Sequence, residues 1–164
     1  MNFDRDNKIC YLPIHYPTGD VITLNPDYMK YCGIELKGDE ARVIAMETKG
    51  DSYTVIPLKV DKFKIQDPSS QQELQAFNVA FQKFLATGHY DAIGIKGRMT
   101  KGRFAGGSTS FKLEGIIQCM PFPVSIINPA TIRAKLKDTE LNLAGCKEYQ
   151  IEALKVVLTM LVLT

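Results

Sequence analysis

An α/β fold with a five-stranded mixed sheet flanked by helices is predicted by three observations. Three strand-like runs in the first half are separated only by short glycine turns, which makes an antiparallel three-strand meander. In the second half two short apolar strands alternate with helix-period segments, the pattern of parallel strands joined by crossovers. The 164 residues, 45% hydrophobic and 23% charged, suit one ordinary soluble domain with a core that needs neither disulfides nor a structural metal.

The meander is read at Tyr31 to Leu36, Ala41 to Thr48 and Tyr53 to Lys59, all rich in Val, Ile and Tyr. Lys37-Gly38-Asp39 and Lys49-Gly50-Asp51 each place a glycine where a tight reversal needs a positive φ. Ser70 and Glu73 form a capping-box pattern, and Leu74, Phe77, Phe81, Phe84 and Leu85 recur at helical spacing until Gly88 ends the helix. This stripe is core. A strand at Ala92 to Ile95 leads into a Gly- and Lys/Arg-rich loop, then into a helix with Leu113, Ile116, Ile117 and Met120 on one face. A last strand, Val124 to Ile127, precedes Asn128-Pro129, an N-cap with proline at the first helical position, and a helix to about Leu136. The final helix is expected from about Lys147 to Leu163.

Residues 1 to 28, with Pro13, Pro17 and Pro26, fit this scheme poorly and are expected to be an N-terminal extension to a domain spanning 29 to 164. Cys10, Cys32, Cys119 and Cys146 are too scattered for a zinc or redox motif and read as buried free thiols. The N-terminus lacks the pattern of a secretory signal, and the longest apolar run, Val156 to Leu163, is too short to cross a bilayer. The expected compartment is the cytoplasm, without a membrane partner. His15 and His89 are isolated and no Gly-x-Ser-x-Gly elbow occurs, which disfavours hydrolase triads and histidine metal centres.

The charge is uneven. Net charge is +2, yet Ile95 to Lys137 holds eight Lys/Arg against the single acid Glu114, a local balance of +7 with −5 elsewhere. A phosphate-bearing partner accounts for this concentration, and so does a solvated face. Within it Lys96-Gly97-Arg98 and Lys101-Gly102-Arg103 repeat a tripeptide, and Gly106-Gly107-Ser108 opens a helix. Glycines let backbone N–H groups approach an anion, so Lys96, Arg98, Lys101, Arg103, Gly106, Gly107 and Ser108 are the candidate phosphate contacts. A mobile surface loop is the plainer reading. Gly97 to Phe104 nearly matches a P-loop, but Arg103-Phe104 stands where Lys-Ser/Thr is required, which excludes a Walker nucleotide site.

Cys32-Gly33-Ile34-Glu35-Leu36-Lys37-Gly38, Ile95-Lys96-Gly97-Arg98, Thr100 to Gly107, Phe111-Lys112-Leu113-Glu114 and Pro129-Ala130-Thr131-Ile132 together resemble a bacterial domain family of unknown function, number three thousand and ten in its series. The resemblance covers Met29 to Thr164 and implies a ribonuclease H-like fold, most similar to the Holliday junction resolvases. Enzymes of that fold hold two divalent metals on acids at the first strand, the fourth strand and the last helix, and so cleave a phosphodiester. It therefore implies Glu35 and Glu152 as ligands of Mg²⁺ or Mn²⁺, with Glu114 as a third catalytic candidate. Glu35, beside Gly33, faces away from Ile34 and Leu36, and the glycine leaves space for a ligand. A salt bridge to a neighbouring lysine, or an exposed sheet face, would equally explain it. Glu148 and Glu152 lie four apart early in the last helix, where the helix dipole favours acids. Lys155 and Thr159 continue that polar stripe, so for Glu148 a solvated face is the better account. The departure is at the fourth strand, where resolvases carry Glu and this chain has Lys96-Gly97-Arg98. Three readings stay open: a metal-dependent nuclease or resolvase-like enzyme, a non-catalytic nucleic-acid-binding module, and an interaction domain.

Overall fold

The structure, a computed structural model, describes residues 28–50, 52–102 and 106–163. Strands β1 (Tyr28–Lys37) and β2 (Glu40–Lys49) form a hairpin around Gly38-Asp39, and β2 pairs antiparallel with β3 (Ser52–Ile56). Gly38 and Gly50 have φ of +63° and +56°, in the left-handed region that favours glycine. Pro57, which has no N–H for a ladder, follows the last residue of β3, three residues short of the expected Lys59.

A sixth short strand, β4 (Lys62–Lys64), pairs antiparallel with the first half of β2, so among the described residues the sheet has six strands rather than five. The sequence reading missed it because three residues in alternating charged and apolar order carry too little pattern. Helix α1 (Gln71–Gly88) begins at Ser70, whose hydroxyl accepts the Glu73 amide, and ends with His89 in the left-handed region at φ 49°. His89, not Gly88, makes the reversal; Gly88 is required instead because a Cβ there would lie 2.0 Å from the Tyr90 ring.

β5 (Ala92–Lys96) runs parallel to β1, and β6 (Val124–Ile127) parallel to β5, giving the order β3-β2-β1-β5-β6 with β4 beside β2. Glu35 thus lies on the central strand with two parallel strands beyond it, as expected. Between β5 and β6 lies α2 (Ser108–Gln118), and after β6 come α3 (Pro129–Lys135), a 3₁₀ turn (Glu148–Gln150) and α4 (Ile151–Leu163). Asn128 caps α3 by accepting the Ala130 amide at 2.8 Å.

The two sheet faces bury separate cores. Cys32, Ile34, Leu36, Ile93 and Ile95 point to α1 and α2, meeting Phe77, Phe81, Leu85, Leu113 and Ile117. Tyr31, Ile44 and Met46 point to α4, whose Ala153, Leu154, Val156, Val157 and Met160 are buried. Thr159, read as part of a polar stripe, is fully buried and returns its hydroxyl to the Lys155 carbonyl at 2.7 Å. Of the described cysteines only Cys32 is buried; Cys119 is exposed and Cys146 intermediate. Among the described residues no helix is long and apolar enough to cross a membrane. The readings made for residues 1–27 lie outside the described residues.

Candidate functional site

The two-residue loop at Gly38-Asp39 fixes the hairpin register, and that register sets Glu35 of β1 opposite Arg42 of β2. On its other side β1 pairs with β5, Gly33 against Gly94 and Ile34 against Ile95, so the next step along both parallel strands brings Lys96 beside Glu35. Three side chains of alternating sign thus stand in one row on the α4 face. Glu35 is 8% exposed, and a buried carboxylate is costly unless paired. Its Oε2 faces Arg42 Nη1 at 3.9 Å and its Oε1 faces Lys96 Nζ at 3.7 Å.

The first turn of α4 adds Glu152 to this row. Its Oε2 accepts Lys96 Nζ at 2.7 Å and its Oε1 accepts Lys155 Nζ at 2.6 Å. At the far end Arg42 Nε donates to Glu40 Oε1 at 2.6 Å. The result is an alternating chain, Glu40, Arg42, Glu35, Lys96, Glu152, Lys155, whose formal charges cancel. Burial raises the Glu152 carboxyl, but the hydrogen bonds from Lys155 and Lys96 outweigh it and hold the group below its usual value.

Arg98 and Glu114 lie in each other's field beside this chain. Burial pulls the half-buried Arg98 guanidinium below its usual value, against the opposing fields of Glu35 and Glu114. Glu114 on α2 is raised by burial in spite of Arg98, and its Oε2 is buried without a hydrogen-bond partner. Gly106 is the floor beneath Arg98, since a Cβ there would sit 3.1 Å from Arg98 Nε and 3.2 Å from the Phe111 ring. The Gly106 amide donates to the Met99 carbonyl at 2.8 Å, so the basic loop closes on itself directly beyond Arg98.

The candidate phosphate contacts therefore separate into two groups. Lys96 pairs with carboxylates, and Arg98 is half-buried in the field of Glu35 and Glu114. Lys101, Gly107 and Ser108 are exposed and Gly106 partly so; Arg103 lies outside the described residues. Beside Lys96 opens a cleft of about 430 Å³ lined by Pro129, Ile132, Arg133, Leu136, Glu152 and Lys155. With Lys96 and Lys155 compensated within the chain, Arg133 is the charge that leaves the cleft positive. Glu148 sits exposed in the 3₁₀ turn, apart from this chain. The sequence reading did not single out Arg42 or Glu40, although the glycine loop, followed through to the register, places Arg42 against Glu35.

Gly33 does not open space for a ligand. A Cβ at Gly33 would lie 2.1 Å from the Ala153 carbonyl oxygen and 2.8 Å from Val157 Cγ2, so helix α4 fills the place. Nor do the residues fit a divalent metal. Oxygen donors at about 2.1 Å and a surplus of negative charge are what Mg²⁺ or Mn²⁺ needs, whereas every oxygen of Glu35 and Glu152 already faces a cationic side chain. Among the described residues no three His, Cys, Asp or Glu side chains are grouped to hold a metal ion. Among the described residues the buried carboxylate oxygen left without a hydrogen-bond partner is on Glu114, and its charged neighbour is Arg98 rather than a second acid.

This architecture, a central strand with antiparallel neighbours on one side and parallel neighbours on the other, is that of the ribonuclease H-like class. The chain belongs to the family described as Protein of unknown function (DUF3010), which matches residues 29–159. Its fold is similar to that of RuvC from Thermus thermophilus, with a TM-score of 0.64 and 12% identity over 80% of this chain and 92% of that one. The same T. thermophilus protein in complex with a Holliday junction substrate matches with a TM-score of 0.57, also at 12% identity, over 80% and 91% of the two chains. At that identity the likeness concerns the fold alone. None of the curated proteins compared matches the sequence.

Proposed function

We propose that this protein binds the phosphodiester backbone of nucleic acid at the C-terminal ends of β5 and β6 and does not cleave it. The observation that carries the reading is the Lys96 ammonium, 2.7 Å from Glu152 and 3.7 Å from Glu35, which leaves a ribonuclease H-like acid pair with its charge cancelled from within. With the charge of the acids compensated, what this edge offers a ligand is cationic. Lys101 on the loop after β5 and Arg133 on the helix after β6 are both exposed and free of ion pairs among the described residues, and the positive cleft lies beside Lys96. In open α/β sheets the loops beyond the carboxyl ends of parallel strands are where ligands collect. A solved relative in fold carries a Holliday junction substrate, which makes a branched duplex the first ligand to try.

The test is fluorescence anisotropy with a labelled duplex and a labelled four-way junction across several salt concentrations in EDTA. Binding is expected without metal, with log affinity falling by roughly 0.9 per phosphate for each decade of salt on duplex DNA. Lys101→Ala with Arg133→Ala should flatten that slope by about two contacts and weaken all sequences alike, since backbone contacts carry no sequence information. No binding at low salt overturns the reading. Cleavage that requires Mg²⁺ or Mn²⁺ and disappears in Glu35→Gln would return the site to the nuclease class.

A further inference from the structure

We infer that the Lys96 side chain is the resident cation of the Glu35–Glu152 carboxylate pair, a tethered ammonium that shuts divalent ions out of the site and whose removal opens a two-carboxylate metal site. Lys96 reaches one oxygen of each acid from a third element, so the three groups are held by β1, β5 and α4 respectively. The remaining two oxygens face Arg42 and Lys155. A metal entering between the acids must displace an ammonium whose stem is fixed at the end of a parallel strand, at a position where the local formal charge is already zero. It gains little field in exchange, and the displaced lysine would add its charge to a cleft that already holds Arg133.

Taking the charge from Lys96 reverses each of these terms. Glu35 Oε1 and Glu152 Oε2 would face the same vacated volume, and the chain would carry one uncompensated negative charge in a mostly buried place. Two carboxylates so placed either take up a proton or recruit a cation, and hard oxygen donors favour Mn²⁺ or Mg²⁺. Lys96→Met is the natural variant because it keeps an unbranched stem at the cleft that Pro129 and Ile132 also line while deleting the ammonium. Lys96→Arg keeps the charge and should keep the exclusion.

This inference shares with the proposed function only the neutralised acids, so it is tested with Mn²⁺ alone and no nucleic acid, and either can fail without the other. Full-length native protein, Lys96→Arg, Lys96→Met and Lys96→Met with Glu152→Gln are titrated with Mn²⁺ by calorimetry and melted in EDTA and in millimolar Mn²⁺. Native protein and Lys96→Arg are expected to show no saturable uptake and no specific shift in Tm. Lys96→Met is expected to melt lower in EDTA and to recover by about 5 °C in Mn²⁺, with one ion bound, as ligand linkage requires at roughly ten to a hundred times Kd. The double variant should lose that recovery. Native protein that binds one Mn²⁺ with Kd below about 100 μM overturns the inference whatever the variants do. So does a Lys96→Met protein that gains no Mn²⁺ binding, including one that refolds from denaturant in neither EDTA nor Mn²⁺ when Lys96→Gln, the second neutral variant, also takes up no ion.

Discussion

Gly33 of β1 and Gly94 of β5 are register partners in adjacent parallel strands, and together they form the saddle on which α4 rests. Glycine inside an apolar strand marks a close approach of another backbone, and here the approach sets the chemistry above it. Because α4 descends onto Gly33, Glu152, one residue ahead of Ala153, is carried to within hydrogen-bond distance of Lys96.

The two glycines differ in what a side chain would meet, which gives the first prediction. At Gly33 an added Cβ collides with the Ala153 carbonyl, which is backbone and cannot turn aside; at Gly94 it meets Met160 Sδ at 2.7 Å and Val156 Cγ1 at 2.8 Å, and the methionine is flexible. Gly33→Ala is expected to cost about 3 kcal/mol or more and Gly94→Ala about 1–2 kcal/mol, by the usual scale of core overpacking. Urea unfolding of both variants measures the difference. Equal costs would mean that α4 is free to lift off the sheet.

The sequence carried some of this site and not the rest, for reasons that lie in range. The Gly38-Asp39 loop is a local signal, and a two-residue loop fixes the pairing of Glu35 with Arg42; the relationship was legible had the register been followed through. Lys96 could be suspected as a salt-bridge partner of Glu35 but not placed, because its alignment depends on a parallel pairing between segments about 60 residues apart. Gly33 reads from the sequence as open space for a ligand, whereas helix α4 fills the place, a contact between segments too far apart in the chain to leave a local trace. Strand β4 and the 3₁₀ start of the last helix are too short to leave a periodic trace. The five main strands and four helices, whose patterns are long and locally consistent, all stand within a few residues of their expected places.

Glu152 and Glu114 should tilt stability against pH in opposite directions. For Glu152 the folded carboxyl lies below its ordinary value, so its contribution is present above about pH 4.3 and is lost as pH falls through the lower folded value. Glu152→Gln is therefore expected to lower Tm by about 3 °C at pH 7 and by much less near pH 3. For Glu114 the folded value is raised, so stability is complete below the ordinary carboxylate value and is lost as pH rises through the raised one. Glu114→Gln should accordingly raise Tm at pH 7 and leave it unchanged near pH 4. Melting curves at half-unit pH steps distinguish these profiles; a loss of stability in Glu114→Gln at pH 7 would show that its charge is needed by Arg98 more than burial opposes it.

Val43 of β2 falls between the two ladders of its strand, past the β4 pairing that ends at Arg42 and short of the β3 pairing that begins at Ala45. A gap in a buried sheet leaves peptide groups that must be satisfied some other way. The Val43 amide donates to the Asp61 carbonyl at 2.9 Å, and its carbonyl accepts Gln150 Nε2 at 2.8 Å. Gln150 is itself buried, and its Oε1 accepts the Lys147 amide at 3.0 Å, so one side chain both closes the sheet and caps the 3₁₀ turn that leads into α4. Gln150→Leu keeps most of the volume and removes both bonds, which leaves the Val43 carbonyl unpaired at a cost of about 1–3 kcal/mol. The position within the chain makes the expected effect local as well as global: amide exchange should accelerate at Val43, Lys147 and the first turn of α4 while the β1–β5 pairing, which Gln150 does not touch, keeps its protection. Uniform acceleration across the sheet, or a stability change under about 0.5 kcal/mol, would show that water satisfies the Val43 carbonyl and that the glutamine is not the tie between the sheet and its last helix.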